Sequence, residues 1–355
     1  MRRALALACL SVLVGCQGGS PSRGPGQSPA RSPAAGPLVV ALEGKQPNFV
    51  VTLVTLQGRE KLRYPLPSGF LPVSSGGNLV LLRDGQGHVR GLTADGSVRD
   101  LGTLPSSTAT SPLISPDGKL WLWSADRWDQ STGIYHSIAY LGPVGEQGTA
   151  VDSSDEKSRD LRPFSWTARG PVVEHGAVGL GGYFVFYNAS GPVALVEGGI
   201  GGASCCFDAG DCAFSDAAKD GSYACVSQEG HLLKIYRGAQ ERSIPLPQPA
   251  FKLAGAAYFN PFSSAHLVVG GSPGLGPPGE QLETDLVDLA TGSLKRVGPP
   301  NSRPAPGPWA WLPDGSLLLE VPDYSAGPNP GTYVVSPGGG ATLISKGQPV
   351  GLLPG

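Results

Sequence analysis

The chain has 355 residues, with 53 glycines, 35 prolines and 26 basic against 28 acidic side chains. That glycine and proline content lies near the range of disordered chains, yet short runs of Val, Leu, Ile, Tyr, Phe and Trp bounded by glycine turns recur along the sequence, the pattern of an all-β protein. The charge is close to balanced and forms no polybasic stripe interleaved with aromatics, which excludes nucleic acid as an expected partner.

Met1-Arg2-Arg3 begins the chain with positive charge, and Ala4–Val14 is an apolar run of eleven residues. This layout predicts an export signal and is too short for a permanent membrane span. The run ends Leu13-Val14-Gly15-Cys16, which resembles the lipobox of bacterial lipoproteins. The resemblance implies cleavage before Cys16, acylation of its sulfur and new amino group, and anchoring in a membrane, since several acyl chains together hold where one is marginal. Gln17, where an aspartate favours inner-membrane retention in that family, implies an exported, lipid-anchored protein at the outer membrane. Residues 17–37 contain nothing larger than alanine to bury and are expected to form a disordered tether spanning on the order of 25 Å.

Residues 38–355 carry a repeat. Leu113-Ile-Ser-Pro-Asp-Gly-Lys-Leu-Trp-Leu-Trp123 and Trp311-Leu-Pro-Asp-Gly-Ser-Leu-Leu-Leu-Glu320 each read as strand, Asp-Gly turn and strand, because glycine supplies the positive φ that a tight hairpin demands. With weaker copies at Gly77, Gly170, Gly221 and Ser264 beside the two strong ones at Gly118 and Gly315, six first turns are placed, and second turns recur within Phe49–Gly58, Val89–Gly96, Ile138–Gly142, Tyr183–Gly191, Leu233–Gly238, Leu286–Gly292 and Tyr333–Gly338. Spacings of 41 to 52 residues between first turns are those of propeller blades. Leu38–Leu42 reads as a second strand with no first, and Pro349–Gly355 as a first strand with no second. The predicted fold is an all-β, seven-bladed β-propeller (six blades being the alternative), closed when the C-terminal strand joins the N-terminal blade. No segment after Cys16 shows a helical period over ten or more residues. Ser115-Pro-Asp-Gly-Lys119, set in this period, resembles the WD40-like repeats of TolB-type periplasmic propellers.

With the strands of a blade labelled A to D outward from the axis, the short A–B and C–D turns share one face. The B–C and D–A connections open on the other, where Ala125–Gly133, Pro143–Asp160, Gly202–Cys212, Gly270–Glu280 and Pro322–Gly331 are expected as insertions. Such loops often form the binding surface. Asp126, Trp128, Asp129, Asp323 and Tyr324 are the candidate contact residues there, because aromatics beside charge make frequent binding anchors. Trp121, Trp123, Trp309 and Trp311 are expected to pack between blades. Cys205, Cys206, Cys212 and Cys225 form an even set in an oxidising compartment, where disulfides are expected over zinc, with the pairing left open.

The histidines, at positions 88, 136, 175, 231 and 266, are dispersed among blades. Gly270-Gly-Ser-Pro-Gly274 lacks the following helix that a serine-hydrolase elbow needs, and Asp152–Asp155 and Asp208–Asp211 lack a dedicated calcium-loop pattern. No phosphate loop or dinucleotide fingerprint occurs, and no cofactor is expected. The expected role is a membrane-anchored, non-catalytic module binding an envelope protein or polysaccharide. The alternatives are a propeller enzyme of the quinone-dependent dehydrogenase or lactonase type, or a structural spacer.

Overall fold

The computed structural model describes residues 36–105, 111–156, 159–177, 181–188, 191–195, 200–201, 212–227, 232–238, 240–246, 256–270, 282–323 and 329–354. Cys16, most of the expected tether, Cys205, Cys206, Tyr324 and residues 271–274 of the G-x-S-x-G segment lie outside them.

Alternating strands build seven antiparallel blades. The first joins β1 (Leu38–Glu43), β2 (Val50–Thr55) and β3 (Glu60–Pro65) to the last strand of the chain, β29 (Gln348–Leu353). The second is β4 (Leu71–Gly76), β5 (Leu79–Arg83), β6 (His88–Thr93) and β7 (Val98–Thr103). The third is β8 (Leu113–Ile114), β9 (Leu120–Asp129), β10 (Ile134–Pro143) and β11 (Thr149–Glu156). The fourth is β12 (Arg159–Thr167), β13 (Gly170–Ala177), β14 (Gly181–Asn188) and β15 (Gly191–Leu195), and β11 and β12 meet at Glu156↔Arg159, so that blades three and four share one sheet.

The two-residue β16 (Ile200–Gly201) runs parallel to β17 (Cys212–Ala217), which starts the fifth blade with β18 (Tyr223–Ser227), β19 (Leu232–Arg237) and β20 (Gln240–Pro245). The sixth is β21 (Ala256–Phe259), β22 (His266–Gly270), β23 (Thr284–Asp288) and β24 (Leu294–Arg296). The seventh is β25 (Arg303–Pro304), β26 (Leu317–Val321), β27 (Gly331–Val335) and β28 (Ala341–Ser345), with a 3-10 helix at Gly307–Ala310 after its short first strand. The predicted closure is present: β29 pairs antiparallel with β1 from Leu38↔Leu353 to Leu42↔Gln348. Pairing the last strand with the first removes the free edge that an open ring of blades would expose.

The core is divided into seven clusters, one between each pair of neighbouring blades. Strand periodicity explains how one strand serves two of them. On β5, Val80 and Leu82 pack toward the first blade, while Leu79 and Leu81 pack toward the third. On β1, Leu38 and Val40 face the second blade and Val39 faces the seventh. Strands buried on both faces therefore read as continuous apolar runs. The Trp121 and Trp123 indoles pack between blades and donate to the Glu146 and Gln147 carbonyls at 2.8 and 3.1 Å.

The Ser-Pro-Asp-Gly turn follows from its side chains. Ser115 Oγ accepts from the Leu120 N–H at 2.9 Å and donates to Asp117 Oδ1 at 2.6 Å, while Gly118 takes the left-handed conformation at φ 73°. Two sequence expectations need correction here. Ala125–Gly133 is not a loop insertion: β9 and β10 stay paired to Asp129↔Ile134, with only a short turn at the tip. Pro143–Asp160 is not one connection either, since it contains β11. The turn expected at Ile138–Gly142 is displaced to residues 144–148, and Gly142 stays in β10 opposite Trp121, where a Cβ would collide with Gly148.

Candidate functional site

Six innermost strands and the segment after the seventh present residues to the axis, and together they wall a cavity of about 550 Å³. Val73 and Ser74 come from β4, Leu113 and Ile114 from β8, and Phe164, Ser165 and Trp166 from β12. Phe214 and Ser215 come from β17, Tyr258 from β21, Trp309 from the 3-10 helix after β25, and Pro349 and Val350 from the closing β29. All seven blades contribute, so the wall is complete only in the closed ring.

A recurring backbone device aims these side chains. The inner strands of four blades each carry an extra residue at an irregularity in register, and these residues are Val73, Phe164, Ser215 and Val350. All four line the cavity. A β-bulge leaves one residue unpaired and re-aims its side chain, which is how these strands point an additional residue at the axis. In the seventh blade the inner strand stops after two residues and the 3-10 helix brings Trp309 to the wall.

The wall is mainly aromatic and aliphatic. Phe164 is 38% exposed and packs edge-on against Phe184 at 4.7 Å between ring centroids, and Phe184 lies 5.1 Å from Phe214. Tyr258 is held above the usual phenol range, first by burial, with a hydrogen bond from the Gly307 backbone opposing it. Behind Ser215, Asp216 keeps a small accessible edge, but its carboxyl is packed in the inner ring and accepts from the Phe259 N–H at 2.9 Å. Desolvation pushes it up to about 7, against hydrogen bonds from the Ala217 and Phe259 amides.

The predicted contact residues are not brought together. Trp128 is 45% exposed near the tip of the β9–β10 hairpin, against Tyr135 at 4.4 Å. Asp126, by contrast, is buried at 7% exposure and bonded to the Ser137 hydroxyl, so it supports the hairpin from inside and is not an exposed contact. Asp129 shapes the tip turn by accepting from the Ser131 hydroxyl at 2.7 Å and the Ser131 N–H at 2.8 Å, which hold its carboxyl down to about 2. Asp323 is exposed and borders a separate groove of about 430 Å³ with Lys45 and Gln348. Blades three and seven are not neighbours in the ring.

Trp311 packs as expected and donates to the Tyr258 carbonyl at 3.0 Å, and Trp309 packs against the cluster between the seventh and first blades while also lining the cavity. Cys225 is buried in β18 and disulfide-bonded, and the Cys212 backbone lies in β17 opposite Ser227. His136 pairs with Asp155 at 2.6 Å, and His175 lies within 2.8 Å of the Tyr187 hydroxyl, which also bonds Asp152. Neither histidine lines the cavity. Among the described residues no cluster of His, Cys, Asp and Glu is arranged to hold a metal ion.

Sequence reasoning did not single out Phe164, Trp166, Phe214 or Tyr258 as site residues. The available signal was an aromatic residue shortly before a first turn, as in Phe164-Ser-Trp166 ahead of Gly170.

No protein-family profile matches the chain, and no curated protein matches it. Among solved structures it is similar to Citrobacter koseri AztD, at 11% identity and a TM-score of 0.46, over 88% of each chain. It is similar to the dihydro-heme d1 dehydrogenase NirN at 17% identity and a TM-score of 0.42, over 92% of this chain and 77% of that one. It is also similar to the acylaminoacyl peptidase of Pyrococcus horikoshii at 11% identity and a TM-score of 0.49, over 86% of this chain and 52% of the peptidase. At these values the likenesses carry no functional conclusion, which must come from the site itself.

Proposed function

We propose that this protein is a binding module, tethered to the cell envelope through an acylated Cys16, whose propeller holds a small, largely apolar molecule in its axial cavity. The observation that carries this is the convergence of all seven blades on one aromatic-lined space, with four bulged residues directed into it. Its volume of about 550 Å³ falls in the usual range of small-molecule pockets. Burying about 200 Å² of apolar ligand surface contributes roughly 5 kcal/mol before immobilisation costs. Acid–base catalysis is the less favoured use, because the described wall offers serine hydroxyls and a phenol but no carboxylate or imidazole.

Nile red, an uncharged dye that brightens in apolar surroundings, tests the cavity. Saturable binding of one equivalent to the full chain is expected, with Val350→Trp weakening it at least tenfold at an unchanged melting temperature. Unsaturable binding, or binding indifferent to Val350→Trp, would refute the cavity as the site. For the tether, radiolabelled palmitate is expected to enter the wild type and not Cys16→Ser; equal labelling of both would refute it.

The exposed Trp128, packed against the half-buried Tyr135 on the β9–β10 hairpin, favours a second use of the molecule, contact with another envelope protein. Crosslinking in intact cells is expected to yield a dominant adduct that Trp128→Ala removes. An adduct that persists in the variant would clear this hairpin of the role.

A further inference from the structure

The polar character of the cavity is of one kind. The polar side chains among its described lining residues are Ser74, Ser165, Ser215, Tyr258, Trp166 and Trp309, and none of the described lining residues carries an ammonium, guanidinium, imidazole or carboxylate. Ser74 Oγ accepts from the Ile114 N–H at 3.1 Å, which leaves its proton available to donate. Ser165 Oγ is buried and makes no hydrogen bond within the protein. A charged ligand group placed here would lose its hydration without gaining a counter-charge, a large cost, while a neutral hydroxyl or carbonyl needs only one hydrogen bond. Above about pH 7, where its carboxyl ionises, Asp216, one residue beyond Ser215 and bonded to the Phe259 amide, adds negative potential behind the wall. It therefore disfavours anions most and makes a cation the sharpest competitor to a neutral ligand.

The apolar part of the wall is equally specific. Phe164, Trp166 and Trp309 line the space, and Phe164 is braced by Phe184 and Phe214 at ring distances of 4.7 and 5.8 Å. Braced rings select flat partners, because offset and edge-on ring contacts add to the area buried, and a rigid ligand loses less conformational freedom on binding than a flexible chain. We infer that the axial site takes an uncharged, ring-bearing molecule, its ring packed among Phe164, Trp166 and Trp309 and its one hydroxyl or carbonyl hydrogen-bonded to the wall serines. This deepens the cavity reading above and rests on it.

Calorimetric titration of the full chain with four probes of similar size separates the classes: 2-naphthol, 2-naphthoate, a 2-naphthyl trimethylammonium salt and the saturated 2-decalol. The expected order is 2-naphthol tightest, both charged congeners at least tenfold weaker, and 2-decalol at least threefold weaker. Ser165→Ala is expected to weaken 2-naphthol severalfold, and Phe164→Ala to weaken both 2-naphthol and Nile red. Equal or tighter binding of either ion, or of 2-decalol, overturns the proposed ligand class and leaves the cavity reading intact. Failure of 2-naphthol with Nile red still bound does the same. Failure of every probe, Nile red included, overturns the cavity reading itself.

Discussion

Asp216 offers a direct test of how the inner ring is held. It follows the bulged Ser215 just as Ser74 follows Val73, and each side chain clamps the inner strand of the next blade: Ser74 Oγ accepts from Ile114 N–H at 3.1 Å, and Asp216 Oδ2 accepts from Phe259 N–H at 2.9 Å. Serine does this without charge, whereas aspartate brings a carboxyl that desolvation raises from 3.8 to about 7. The folded state then holds a proton that the unfolded chain gives up between about pH 4 and pH 7. From this group alone, stability is highest at acid pH, falls as pH rises through that window, and levels off above it. At about 1.4 kcal/mol per pH unit over roughly three units, the loss is at most about 4 kcal/mol.

Asp216→Asn keeps an acceptor for Phe259 and removes the charge. Urea unfolding of both proteins at intervals from pH 4.5 to 8.5 should give a stability difference near zero at the acid end. The difference should grow in favour of the variant to as much as about 4 kcal/mol at pH 8. Subtracting the two curves cancels the other carboxylates, such as Asp117 and Asp220, which are held below their usual range and act in the opposite sense. A difference that stays flat with pH, or a variant less stable than wild type at pH 8, would show that the carboxyl is not buried as a net cost.

Three further perturbations probe the ring. Gly76→Ala would drive a methyl group into the Ser115 carbonyl of the next blade and is expected to cost about 3 kcal/mol; a melting curve within a degree of wild type would contradict that close approach. Leu353→Ala in the closing strand, fully buried between the first two blades, is expected to cost about 3 kcal/mol like any core leucine, and a negligible change in urea midpoint would mean the closure contributes nothing. Tyr187→Phe removes the hydroxyl that meets both His175 and Asp152. It should lower stability by about 1–2 kcal/mol, and an unchanged midpoint would mark that contact as solvent-compensated.

The blade count and the ring closure could be read from the chain because both rest on local rules. Asp-Gly and other glycine turns recur at one spacing, alternating apolar runs lie between them, and Leu38–Leu42 reads as a second strand with no first while Pro349–Gly355 reads as a first with no second. The packing of Trp121, Trp123 and Trp311 was open to the same reasoning, since strand period turns every second side chain toward the same neighbouring blade. Asp126 and Trp128 show where it stops. Two residues apart on a paired strand they ought to share a face, yet one is buried and hydrogen-bonded while the other is exposed near a hairpin tip. Which neighbours cover a strand face is settled by the next blade and not by the strand.

The all-β character, the repeat, the seven blades and the strand that closes them were legible in the chain, because turn chemistry and alternation act over a few residues. What the axis presents depends on the closed ring. The bulges at Val73, Phe164, Ser215 and Val350 break the period of two where it would have been used to assign faces, and Trp309 arrives through a 3-10 helix in place of a strand. The cavity wall draws on residues from Val73 to Val350 that no local pattern connects. They become neighbours because seven blades close around one axis.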